Sequence, residues 1–322
     1  MTHSSRSGCH RRSHVTAAWY HPAVIKFVSP EVWAFDLEWV PDPESGRRVY
    51  GLPESLDDRA VMEEMWQRGG ATAEDPRPFL KTVVCRVVSV SAVIRKRDPQ
   101  GHLTHTLHSL PPLDEPGPHG EADLLARFMG GIGKHKPQLV GFNSQSADLP
   151  ILLQRALAHG LSLPEFCHRP DKPWEGVDYF ARSGDHHLDL KELFCGRGRA
   201  TPSLHELATV CGIPGKLHTS ALDVADLWLA GDLPRIVQYN ECDAITTFLV
   251  WLRAALLAGH LTPAAYAQEV ADLDALLESK TVGDAHHHLR EYLDAWRVLR
   301  GAVAPVAPVA DSSDATVTTE RR

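Results

Sequence analysis

Residues 32–42 read VWAFDLEWVPD, and the reading of this stretch decides the fold. Apolar side chains recur at every second position, the period of a β-strand with one buried face. Trp33, Phe35, Leu37 and Trp39 therefore project to one side, and Asp36 and Glu38 project together to the other. Two carboxylates this close repel, and both stay ionised only beside a compensating positive charge. Burying either without a partner is costly. Oxygen-only ligands of this kind suit Mg²⁺ or Mn²⁺. An exposed strand end, with the pair merely solvated, is the other reading that these two residues allow.

Outward from this strand, the order of elements is informative. Ser55 is expected to cap a helix running to about Arg68, with Gly69 after its end. TVVCRVVSVSAVI (82–94) is a β-branched run and a strand, which RKRDPQG turns back into HLTHTLHSL (102–110), a hairpin partner. A helix over 120–132, a short apolar strand at 137–142 and a helix over 149–159 stopped by Gly160 follow. After an irregular stretch come a short strand near 186–190, a helix opened by Ser203 and Glu206, and a long helix from about Pro234 to Ala258. Two more helices follow, one introduced by Thr262-Pro263 and one over 284–299. A hairpin followed by alternating helix and strand predicts an α/β chain with a mixed sheet flanked by helices.

Residues 1–27 and 302–322 read as flexible, disordered tails, the second small, polar and punctuated by proline. No run of about 18 apolar residues predicts a membrane span. The first 23 residues lack the apolar core of a signal peptide, so a cytoplasmic location is expected. Six cysteines without a CxxC pair read as reduced thiols rather than a zinc or disulfide framework. The formal net charge of −8 argues against a DNA-coating protein. It leaves room for an enzyme that grips nucleic acid locally through metals.

Two further acids join the first pair. In LVGFNSQSADLPILLQRAL, Asp148 ends a loop between strand and helix, where it suits an N-cap or the edge of an active site. In RIVQYNECDAITTFLVWL, Tyr239 and Asp243 are four apart and share a helix face, as a surface acid beside a core tyrosine or as part of a site. Together the four carboxylates can hold two divalent ions, which can activate a water and stabilise a leaving oxygen in phosphodiester hydrolysis. Tyr239, one helical turn from Asp243, could orient that water.

The order D-x-E, Asn-x4-Asp, Tyr-x3-Asp resembles the DEDDy branch of the DnaQ-like 3′–5′ exonucleases, with a ribonuclease H-like fold. More narrowly, FDLEWVPD, VVSVSAVI, LVGFNSQSADLPIL, HLDLKELF, SLHELATVCGIPGK and YNECDAITTFLVWL resemble, in order, the predicted 3′–5′ exonucleases related to the proofreading domain of family B DNA polymerases. The resemblance covers roughly residues 32–257. It implies an exonuclease domain over 28–260 and a C-terminal helical extension over 261–301. Asp36, Glu38, Asp148 and Asp243 would bind two metal ions, Mg²⁺ or Mn²⁺, and Tyr239 would position the water at the 3′-terminal phosphodiester. Phe142 and Asn143 would line the strand-binding groove, and Leu37 would wedge near the terminal bases. Trp39 departs from the pattern, since relatives more often carry a small residue there, which bears on substrate preference.

The substrate so implied is the 3′ end of single-stranded DNA, with RNA and a catalytically silent nucleic-acid-binding scaffold as the alternatives. No polymerase domain follows, so a stand-alone module or the partner of a replication or repair protein is expected. Asp189 reads as a structural neighbour of the site. His186 and His187 are candidates for a phosphate contact, Arg197 and Arg199 for the nucleic-acid backbone, and the triplet at 286–288 reads as a solvated helix start.

Overall fold

The computed structural model describes residues 25–115, 120–172, 174–181, 184–195, 201–215, 217, 224–281 and 286–302. In chain order the elements are β1 (Glu31–Pro41), α1 (Pro43–Tyr50), α2 (Asp58–Arg68), β2 (Cys85–Arg97), β3 (Leu103–Leu110), α3 (Glu121–His135), β4 (Gln138–Gly141) and α4 (Asp148–Ala158). They continue with α5 (Pro164–Cys167), β5 (His187–Asp189), α6 (Leu190–Cys195), α7 (Leu204–Val210), α8 (Val224–Leu229), α9 (Leu233–Leu257), α10 (Pro263–Lys280) and α11 (His287–Ala302). The strands form one sheet in the order β3-β2-β1-β4-β5. The hairpin and β1 pair antiparallel, whereas β1, β4 and β5 run parallel. This is the mixed, helix-flanked sheet of a ribonuclease H-like fold, as expected.

Strand parity in β1 sorts the core into two layers. Trp33, Phe35 and Leu37 pack with Leu125, Phe128, Met129 and Ile132 of α3 and with Leu149 and Leu152 of α4. Val32 and Ala34 face the other way, onto Ile245, Phe248, Leu249 and Leu252 of α9. Truncating a fully buried ring such as Phe248 removes apolar burial and leaves a void, at about 3–5 kcal/mol. The expected helical extension shares this second layer: Leu273, Leu277, Leu289, Tyr292 and Trp296 belong to the same cluster. Arg95 of β2 ties α10 to the sheet through a two-pronged pair with Glu269, both bonds 2.7 Å and both side chains buried.

Several local expectations change. Asp57, not Ser55, caps α2, its side chain accepting from the Ala60 N–H at 2.8 Å. Residues 25–27, expected as tail, are held in place. Ile25 is fully buried, and its carbonyl oxygen lies 2.7 Å from His260 Nε2. The histidine triplet is not a solvated helix start, because α11 packs its N-terminal turn against α9. His288 is only 8% exposed, His286 is partly buried and His287 is exposed. Ser203 caps α7 with the reciprocal Glu206 bond that its sequence signature predicts. Residues 1–24 and 303–322 of the expected tails, and Arg197 and Arg199, lie outside the described residues.

Candidate active site

β1 carries two acids to one face of the sheet, and the pairing of β2 is irregular beside them. Glu38 pairs with Ser89 but Trp39 pairs with Val87, so Val88 is an extra residue in β2. Such a bulge bends the strand and re-aims its neighbours. α9 crosses this face, and Asp36, Glu38 and Asp243 each offer a carboxylate oxygen within 4.8 Å of the others. Asp148 is not of that set but lines the same groove, and its charge reaches Asp36.

The electrostatics follow from the crowding. Burial first, then the charges of Asp243, Glu38 and Asp148, hold the Asp36 carboxyl well above its ordinary range, against the hydrogen bond from Asn240. Burial pushes Asp148 up to about 7, although its own N–H and that of Leu37 pull it down. The Tyr239 hydroxyl hydrogen-bonds Asp243. Burial and the charges of Asp243, Glu38 and Asp36 raise it, so it stays protonated. Buried carboxylates that raise one another in this way are a site that a divalent cation would relieve, and an all-oxygen donor set fits Mg²⁺ or Mn²⁺.

Asp148 is the first residue of α4 and not its cap: Ala147 holds the cap position with no side-chain bond. The preceding loop is fastened instead by Asp189 at the end of β5. Its carboxylate accepts from the N–H groups of Asn143 (2.8 Å), Gln145 (2.9 Å) and Lys191 (2.9 Å). Asn143 sits at φ +66°, a left-handed conformation that asparagine tolerates better than most side chains. Gly141 begins this turn, and a Cβ there would meet Ser144 at 2.4 Å.

His186 and His187 do not reach the groove among its lining residues. His187 hydrogen-bonds Ser144 Oγ at 2.8 Å, and burial pushes its imidazole down to about 4. His186 packs edge-on against Phe27.

The groove encloses about 780 Å³. Phe142, Asn143 and the buried Leu37, 3% exposed, all line it. Trp39, Trp66 and Phe79 also line it, with Phe79 88% exposed. Lys191 Nζ lies 3.1 Å from Asn143 Oδ1 on the same lining.

Asn240 was not legible as a site residue. Its side-chain N–H donates to Asp36 Oδ2 at 2.8 Å, and its Oδ1 accepts from Ser89 Oγ at 3.0 Å. The available signal was its spacing of three from Asp243 on one helix, which places the two side by side.

A family model described as a predicted 3′–5′ exonuclease related to the exonuclease domain of PolB matches residues 77–296. Asp148, Tyr239 and Asp243 fall inside the matched residues, and Asp36 and Glu38 precede them. No curated protein matches the chain.

Proposed function

We propose, from the premise that the chain belongs to the family of predicted 3′–5′ exonucleases related to the exonuclease domain of PolB, that it removes nucleotides from the 3′ end of single-stranded DNA. Two divalent ions, Mg²⁺ or Mn²⁺, would be held by Asp36, Glu38, Asp148 and Asp243. The observation that carries this reading is the meeting of Asp36, Glu38 and Asp243 within 4.8 Å, beside a tyrosine bonded to one of them. Bound there, the ions supply the positive charge that activates a water and stabilises the leaving 3′ oxygen.

The chain's own residues do the rest. Tyr239, kept protonated, orients the water at the terminal phosphodiester while its bond to Asp243 fixes its ring. Asn240 holds one oxygen of Asp36 and so leaves the other to face the groove. Asp189 fastens the loop that delivers Asp148, Phe142 and Asn143 to the strand path. Phe79 and Trp39 offer stacking faces that unpaired bases can use and a stacked duplex cannot. Lys191 supplies local positive charge for a backbone phosphate in a chain of formal net charge −8.

The test is digestion of 5′-labelled single-stranded DNA and its RNA counterpart with Mn²⁺, Mg²⁺ or EDTA, beside Asp36→Ala. A ladder shortening from the 3′ end, faster on DNA and abolished by EDTA and by the substitution, is expected. Faster digestion of RNA would transfer the substrate to RNA. Intact oligonucleotides under every metal condition, with binding preserved, would leave a silent binding module.

A further inference from the structure

Behind the carboxylate groove, α9 has a second functional-looking face. Glu241, two residues before Asp243, points toward β3 and the start of α11, where it meets His286 and His288. We propose that Glu241, His286 and His288 form a second metal site, for a nitrogen-preferring first-row divalent ion and zinc in the first place, that pins α11 to α9. Nothing in the exonuclease reading requires it.

Geometry comes first. One ligand atom from each of the three residues lies within 4.8 Å of the others. Glu241 Oε2 is 2.8 Å from His288 Nε2 and 3.7 Å from His286 Nδ1. A tetrahedral zinc with bonds of about 2.0–2.1 Å needs ligand atoms roughly 3.4 Å apart, between those two separations. Both carboxylate–imidazole separations thus lie near that value, and the two imidazole nitrogens lie within 4.8 Å of each other.

The surroundings support a held ligand set. Ser109 Oγ donates to Glu241 Oε1 at 2.6 Å and is itself bonded by Ser91 Oγ at 3.1 Å. This chain fixes the carboxylate with Oε2 turned to the imidazoles, the arrangement that outer hydrogen bonds impose on metal ligands. Among the described residues His286 Nδ1 is buried without a hydrogen-bond partner, and its 3.7 Å to the carboxylate is beyond hydrogen-bond reach. An ion between this nitrogen and the carboxylate would give it a partner.

Donor chemistry separates this site from the groove. Two imidazoles and one carboxylate favour zinc, cobalt or nickel over magnesium, whereas the all-oxygen groove favours magnesium or manganese. Three protein ligands leave a fourth position for water. The two histidines come from one turn and the glutamate from a helix 45 or more residues earlier in the chain, so the ion would cross-link the C-terminal helix to the helix that carries Asp243.

Cobalt titration of the metal-stripped full chain, in a large excess of Mg²⁺ to fill the groove, tests the site through its visible spectrum. A single equivalent should give the intense band of a tetrahedral ion, and one equivalent of zinc should abolish the band and raise Tm. The band should persist in Asp36→Asn and disappear in the His286→Gln/His288→Gln double variant. Should that variant lose its native circular dichroism, His286→Gln alone decides: its side chain is 20% exposed, and cobalt affinity should fall by roughly 10–100-fold or more with the fold intact. No band in the unaltered chain, or a band indifferent to the histidines, overturns the site and leaves a simple Glu241–His288 hydrogen bond.

Discussion

The side-chain amide of Asn240 donates a 2.8 Å hydrogen bond to Asp36 Oδ2, joining residues 204 positions apart in the chain. Asn240 is fully buried, and its own carbonyl is held by Ser89 at 3.0 Å, so the amide has one orientation available. Asn240→Ala should therefore leave Asp36 free to turn, lowering kcat by roughly 10–100-fold, the usual cost of losing an outer hydrogen bond to a metal ligand. KM for the oligonucleotide should change little. Steady-state kinetics with a Mn²⁺ titration checks this, and an unchanged kcat would mean that Asp36 needs no such support.

Without metal, the groove stores repulsion. Asp36→Asn removes one of the mutually repelling charges that raise its carboxyl, while an asparagine oxygen can still accept from Asn240. The variant should be inactive yet more stable than the parent in EDTA, by about 1 kcal/mol or ~2–4 °C in Tm. Thermal denaturation in EDTA and then in Mn²⁺ is the measurement. The parent should gain more from Mn²⁺ than the variant, and a variant less stable in EDTA would sink the idea.

Phe79 projects from the groove rim with 88% of its surface exposed, so its ring contributes little to folding. As a stacking platform it is worth about 1–3 kcal/mol per base. Phe79→Ala should raise KM for single-stranded DNA about 5–150-fold, with Tm unchanged. A KM equal to the parent's would remove the ring from the substrate path.

The Arg95–Glu269 pair gives the fold an acid-sensitive joint. Burial opposes the charge on Glu269, but the hydrogen bonds and charges of Arg95 and His105 hold its carboxyl down at about 2, from an ordinary 4.5. A depressed folded-state value contributes stability that is present above the unfolded value and lost as pH falls through the folded one. The contribution should thus fade between pH 4.5 and about 2 and reach about 3 kcal/mol at most. The difference in unfolding free energy between the parent and Glu269→Gln, followed by urea denaturation across that range, should shrink on acidification. A constant difference would contradict the assignment. At neutral pH, Glu269→Gln should itself cost about 3–5 kcal/mol, because Arg95 is left buried against a neutral partner.

Much of the fold could be read from local pattern. The alternation in residues 32–39 put Asp36 and Glu38 on one face and the apolar residues on the other, and both core layers follow that parity. Helical spacing put Tyr239 beside Asp243, where the structure joins them by a hydrogen bond. Asp148 was ambiguous, because a helix start near Leu149 suits a cap as well as a site. The structure gives the cap position to Ala147 and brings the Leu37 N–H to the Asp148 carboxylate. The histidine triplet misled for the same reason: polar residues at a helix start look solvated until the helix is docked.

Sequence alone determined what short-range geometry controls: the strand parity of Asp36 and Glu38, the shared helix face of Tyr239 and Asp243, and the capping box at Ser203. Tertiary structure alone decided which distant groups meet them: Asn240 at Asp36, Asp189 under the Asn143 loop, and Glu241 against His286 and His288. The division has a physical cause. Periodicity is set by backbone dihedrals within a few residues, whereas these contacts depend on how α9 crosses the sheet and how α11 docks on α9, and apolar burial drives that docking without specifying polar partners.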